Sequence, residues 1–162
     1  MQRLIAGLAA MAVAAFASPT AAATVDPIGE LLQDLQAIGQ AALKAPEVLM
    51  KATLYNAGAR GVGTRDSLGC RVAAMRTVAI DPSIVPRRSI VFIKETVGLP
   101  LPNGGVHDGF WYASDTGGAI KGSRIDLYVG VGRAALRAAD SLNLRTLTVQ
   151  RVSSFDGCPP SN

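Results

Sequence analysis

Between residues 48 and 152, six short segments carry the period-2 alternation or β-branched content of strands: VLMKATLYN, TVAID, SIVFIK, GFWYAS, RIDLYVG and TLTVQRV. Stretches rich in glycine and proline separate several of them, notably GARGVGTRDSLG, PSIVPRR and VGLPLPNGGVHDG. A chain punctuated in this way buries alternate side chains of many short strands, which predicts a mostly-β barrel or sandwich. One helix interrupts the strands around Arg133 to Ser141. Upstream the period changes. Ile28, Leu31, Leu32, Leu35, Ile38 and Leu43 fall near helical spacing between Pro27 and Lys44, with Asp26 placed to cap the start and Pro27 at the first position. Pro46 lies just beyond. An amphipathic helix is therefore expected ahead of the sheet, docked on it or acting as a spacer.

The chain has 162 residues, 49% hydrophobic and 17% charged, enough for one domain with a packed core. Part of that hydrophobicity belongs to the N-terminus, where Arg3 precedes an uncharged apolar run of 13 residues from Leu4 to Phe16. Pro19 and the small residues Ala21, Ala22 and Ala23 follow. This is the pattern of a secretory signal, and the run is too short for a transmembrane helix. The expected organisation is a signal peptide over 1–23, a helical segment over 24–48, a β-domain over 49–152 and a tail over 153–162. Export implies a periplasmic or cell-wall location without a stable membrane anchor. The two cysteines, Cys70 and Cys158, then have a disulfide as their default state, tying the tail to an early loop.

The formal net charge of +4 is scattered rather than gathered in a basic run, so nucleic acid is not an expected partner. With one histidine, His107, and two cysteines, no metal site is expected. His107 is read as a solvated loop residue, and Trp111 as a buried aromatic or a sugar-stacking platform. The motif Gly130-x-Gly132-x-x-Ala135 matches a dinucleotide fingerprint in outline. Only 27 residues follow Ala135, too few for the rest of that fold, so no nucleotide cofactor is expected.

The chemistry concentrates in ASDTGGAIKGSRIDLY, residues 113–128. Asp115, Thr116 and Gly117 form the triplet of aspartic proteases, which would need a dimer to supply a second loop. Asp126 follows beyond a glycine-rich loop, Thr116 to Ser123. On alternation, Trp111, Ala113 and Asp115 share one strand face, and Arg124, Asp126 and Tyr128 share a face of the next strand. If those strands lie side by side, the two carboxylates sit together and their pKa values are pushed apart, leaving one as a general acid. A loop cap at Asp115 and an ion pair between Asp126 and Arg124 or Lys121 is the plainer alternative.

The run DTGGAIKGSRIDLYVG, preceded by VAIDP and ATLYN, resembles the three-aspartate (3D) domain, also found as the catalytic part of membrane-bound lytic transglycosylase A type enzymes. The resemblance spans Thr53 to Val152 and implies a six-stranded double-psi β-barrel. It implies cleavage of peptidoglycan glycan strands between N-acetylmuramic acid and N-acetylglucosamine, leaving 1,6-anhydro ends, by a monomer without cofactors. On that resemblance Asp126 is the acid/base and Asp115 its partner. Asp81 is the third aspartate, although an Asp-Pro turn reads equally well. Thr53, Tyr55, Thr116, Gly117, Gly118 and Lys121 are expected to contact substrate. A glycan-binding module without turnover is the competing reading. The longer insertion, residues 94–111, departs from the simplest members of the family.

Overall fold

The computed structural model describes residues 26–59, 61–101 and 103–161, the side chains of residues 37–39 and 41–44 excepted. The signal peptide expected over 1–23 lies outside the described residues, as do the side chains of Ile38 and Leu43. Helix α1 runs from Pro27 to Lys44. Its start is capped by Asp26, whose Oδ1 accepts the Ile28 N–H at 3.1 Å. α1 lies against the last strand, yet Ile28, Leu31, Leu32 and Leu35 are each more than half exposed.

Six strands follow: β1 (Glu47–Ala57), β2 (Thr77–Ile80), β3 (Ser89–Ile93), β4 (Phe110–Asp115), β5 (Arg124–Val131) and β6 (Thr146–Ser154). Helix α2, Gly132–Ala138, follows β5 directly, and a 3-10 turn at Asp140–Leu142 completes the segment read as one helix. The strands form a single sheet that closes in a ring in the order β1-β5-β2-β4-β3-β6. The ring shuts because β6 pairs β1 on one side and β3 on the other. β1–β5 and β2–β4 are parallel, and the remaining pairs are antiparallel. The sheet overruns the 49–152 boundaries at both ends, from Glu47 to Ser154.

Alternation explains the interior. Met50 and Ala52 of β1, Val78 and Ile80 of β2, Val91 and Ile93 of β3, Ile125 and Leu127 of β5, and Leu147 and Val149 of β6 point into the ring and are essentially buried. Trp111 of β4 is fully buried among them, and its indole N–H donates to Thr96 Oγ1 at 3.0 Å. It is core, with no face open to a sugar. His107 also departs from expectation: it is 1% exposed and stacks on Trp111 with ring centroids 4.8 Å apart. The Gly109 N–H donates to its Nδ1 at 2.8 Å, so Nε2 carries the proton and donates to the Met75 carbonyl at 2.7 Å. Burial holds its pKa below the ordinary value, against the opposing pull of the Met75 carbonyl. Within the insertion 94–111, Thr96, His107 and Trp111 are thus buried, while most of the other described residues are exposed. Trp111→Ala empties the largest buried side chain, and a loss of about 3–5 kcal/mol in chemical denaturation is expected.

Cys70 and Cys158 are joined by a disulfide, Cα–Cα 5.5 Å, which ties the tail to the β1–β2 loop. Among the described residues no helix is long and apolar enough to cross a membrane.

Candidate active site

Asp115 and Asp126 do come together, but by a different route from adjacent strands. β2 lies between β4 and β5, and Ala79 is the register partner of both Asp115 and Asp126. A small residue is needed there, because any longer side chain at 79 would fill the space between the two carboxylates.

A register shift between β2 and β4 sets the second half of the geometry. Val78 faces Ala113, but Ala79 faces Asp115, so Ser114 is the extra residue of a bulge. Without it, Asp115 would follow Trp111 and Ala113 into the core. The bulge moves it to the outer face, where Asp126 and Tyr128 of β5 and Thr53 and Tyr55 of β1 also lie, opposite the inward-facing Ile125, Leu127 and Ala52.

Both aspartates are held by hydroxyls from β1. Thr53 Oγ1 donates to Asp126 Oδ1 at 2.8 Å, and the Tyr55 hydroxyl donates to Asp115 Oδ2 at 2.9 Å. The register accounts for this, since Thr53 pairs directly with Asp126 across the parallel β1–β5 ladder. These hydroxyls are spent on carboxylates rather than left free for a sugar. Asp115 Oδ1 accepts two further bonds, from the Ser67 N–H at 3.0 Å and the Thr116 N–H at 2.8 Å. It is fixed on both oxygens. Asp126 has one protein donor at Oδ1, which leaves Oδ2 for a ligand.

The Asp126 pKa is raised above the ordinary carboxylate range, first by burial and then by the negative charge of Asp115, against the lowering effects of the Thr53 hydroxyl and Arg124. Tyr55 is pushed up more strongly, by burial, by the charge of Asp115 and by its bond to that group, and so stays a neutral donor. Its ring leans on Tyr128, centroids 5.2 Å apart.

A cleft of about 290 Å³ opens over these groups, lined by Tyr55, Ala79, Asp115, Thr116, Gly117, Ile120 and Asp126 on one side. Gly61, Val62, Gly63 and Arg65 of the β1–β2 loop form the opposite wall. At Gly117 a Cβ would meet Ile120 Cγ1 at 2.9 Å, so glycine permits the close turn that brings Ile120 under the cleft. Gly118 and Lys121 do not line the cleft, and both are solvent-exposed or nearly so.

Asp81 stands apart. Its Oδ2 accepts the Gly122 N–H at 2.8 Å, and its Oδ1 accepts the Ser83 N–H at 3.0 Å and the Ser83 hydroxyl at 2.8 Å. These donors, Gly122 first, lower its pKa to about 2. Asp81 therefore latches the Thr116–Ser123 loop from outside, with Gly122 at φ 61° making the turn that presents its N–H. Asp81→Ala frees that loop, and amide hydrogen exchange over residues 116–123 is expected to speed up roughly three- to tenfold, as befits a lost hydrogen-bonded anchor. Unchanged exchange there would mean that the loop holds its shape without Asp81.

The β1–β2 loop was legible only as turns, yet it supplies Ser67 and a whole wall of the cleft. Its one local signal is Asp66 three residues before Gly69, where the Gly69 N–H donates to the Asp66 carbonyl at 3.0 Å. The Asp66 side chain closes the same turn through the Leu68 and Cys70 N–H groups, at 3.0 and 2.8 Å. Arg87 donates to the Ser67 carbonyl and, at 3.2 Å, to its hydroxyl. Among the described residues no group of three or more His, Cys, Asp or Glu is gathered as for a metal ion.

A closed β-sheet with two carboxylates from neighbouring ladders facing one open cleft defines a small β-domain built to act on, or hold, a ligand from outside the ring. Residues 76–146 match the family model of the 3D domain. The match begins after Thr53 and Tyr55, inside the wider span that the sequence suggests. No curated protein matches the chain. Among solved structures, one similar to it is the E. coli lytic transglycosylase MltA with bound chitohexaose, at 25% identity and TM-score 0.43, covering 59% of this chain and 29% of that one. A variant of MltA in an apo form is similar at 23% identity and TM-score 0.44, with the same coverage. The lytic transglycosylase LtgG of Burkholderia pseudomallei is similar at 29% identity and TM-score 0.40, covering 57% of this chain and 28% of that one. The chain spans less than a third of the length of each of these structures.

Proposed function

We propose that this chain is a peptidoglycan lytic transglycosylase, an exported lyase that cleaves the β-1,4 bond between N-acetylmuramic acid and N-acetylglucosamine on a double-psi barrel. The observation that carries the reading is Asp126: a half-buried carboxyl in an open cleft, with a raised pKa and Oδ2 free. A carboxyl of that kind is protonated at higher pH than an ordinary one and serves as a general acid. The match of residues 76–146 to the 3D domain supports the same reading.

In the proposed reaction Asp126 gives its proton to the glycosidic oxygen, and the bond from that oxygen to muramyl C1 breaks. The muramyl 6-hydroxyl then attacks C1 and returns its proton to Asp126, so the new C1–O6 bond closes the 1,6-anhydro ring. No water is consumed, and a single carboxyl serves as acid and then base. The negative charge of Asp115 beside it raises its proton affinity. The second carboxylate comes from the same chain, eleven residues earlier, so a monomer suffices and a protease-type dimer is not needed.

Release of soluble fragments from purified sacculi tests the proposal. Wild type is expected to release them and Asp126→Asn to bind sacculi without release. Binding by both with release by neither would make the chain a wall-binding module.

A further inference from the structure

Two arginines stand opposite one another in the β1–β2 loop, at the ends of the turn whose N–H groups hold the Asp66 carboxylate. Arg65 and Arg71 are partners in an antiparallel bridge, which puts their side chains on the same face. Like charges directly opposite one another destabilise such a pair. Neither makes an ion pair with a described residue: Arg65 Nη1 donates to the Gly69 carbonyl at 2.7 Å, and the Arg71 side chain has no hydrogen bond with any described residue. Both are exposed. Together with Thr64 they line a depression of about 240 Å³. Arg65 also belongs to the wall of the cleft over Asp115 and Asp126, so the depression adjoins the cleft at that residue.

We infer that Arg65 and Arg71 form a carboxylate subsite beside the glycan cleft, which binds the acidic side group of the sugar residue next to the scissile bond. Guanidinium forks suit a carboxylate in two-point geometry, and two of them on one face outweigh a single surface charge. The inference rests on the peptidoglycan reading above and adds to it a preference for charged over neutral strands. A muramyl residue offers two such carboxylates, its own lactyl group when the strand is bare and those of the stem peptide when it is substituted.

Three probes separate these sources: glycan fragments carrying stem peptides, the same fragments stripped of peptide and so bearing free lactyl carboxylates, and neutral chitooligosaccharide. Affinities are measured on the full exported chain for wild type, Arg71→Gln and Arg71→Lys. For Arg71→Gln the expected result is roughly a three- to tenfold loss for a carboxylate-bearing probe, shrinking in high salt, with unchanged affinity for chitooligosaccharide. Arg71→Lys should recover part of the loss. Loss confined to the peptide-bearing fragments assigns the stem peptide, loss confined to the stripped fragments assigns the lactyl group, and loss on both shows that the subsite takes either carboxylate. Equal loss on all three probes, or loss on none, overturns the inference. A wild type that binds no glycan at all would defeat the peptidoglycan reading itself, whereas one that binds neutral and charged probes equally defeats the subsite alone.

Discussion

Asp126→Asn should abolish fragment release while leaving the protein folded and more stable at neutral pH. The loss follows from the proposed role of general acid, worth roughly 10²–10⁴ in rate, since asparagine cannot supply the proton. The gain follows from linkage. The folded-state pKa of Asp126 lies above its ordinary value, so the folded chain binds that proton more tightly than the unfolded one. Its contribution to stability is fully present below the unfolded pKa and is lost as pH rises through the folded pKa. At pH 7 the carboxylate is therefore a burden, which the neutral amide removes. Thermal melts at pH 7 and pH 4 check the sign: the variant should gain at pH 7 relative to wild type and gain less at pH 4. On the proposed mechanism the same raised pKa sets the alkaline limb of the rate profile. Thr53→Val deletes the hydroxyl that lowers the Asp126 pKa, so the alkaline limb should move to higher pH, with Val preserving side-chain shape. A limb that stays in place would separate Asp126 from the proton transfer.

Removing the Cys70–Cys158 disulfide should cost about 4–5 kcal/mol, since the sequence separation of 88 residues closes a long loop in the unfolded chain. For a domain of this size that lowers Tm by roughly 10–20 °C. The effect should reach the cleft as well. Cys70 is locked to Asp66 twice, by its carbonyl accepting the Asp66 N–H at 2.8 Å and by its own N–H donating to Asp66 Oδ1. Asp66 precedes Ser67, whose N–H holds Asp115 Oδ1. A double Cys→Ser variant should therefore lose stability and, at a temperature where it is still folded, show reduced turnover as Asp115 loosens. Equal activity of the folded variant would mean that Arg87 and the Ser67 hydroxyl hold the loop without the disulfide.

All six strands lie where alternation and turn residues put them, because the ring has a dry inside and each strand must mark it with every second residue. α1 begins at Pro27 and ends at Lys44, where its cap and spacing set it. The neighbour relations were not legible. Parallel pairs such as β1–β5 join residues some 70 positions apart, and local pattern carries no trace of them. Hence the two carboxylates meet across Ala79 rather than on adjoining strands. The bulge at Ser114 was equally hidden: strict alternation carries Asp115 into the core with Trp111, and one extra residue reverses its face. Thr53 and Tyr55 entered through family resemblance alone, and their grip on the two aspartates emerges only from register. His107 misled because lone histidines in polar loops are usually wet, whereas this loop folds its ring against Trp111. Ser67 left no signal, since it acts through a backbone N–H that any residue in that turn would offer.

The most direct measurement is mass spectrometry of the ends produced from purified peptidoglycan by the chain from residue 24 onward. Muramyl ends lighter by one water than hydrolysed ends, formed by wild type and absent with Asp126→Asn, are the predicted result. Ordinary reducing ends would contradict the proposed lyase and require an attacking water, with a second carboxylate to activate it.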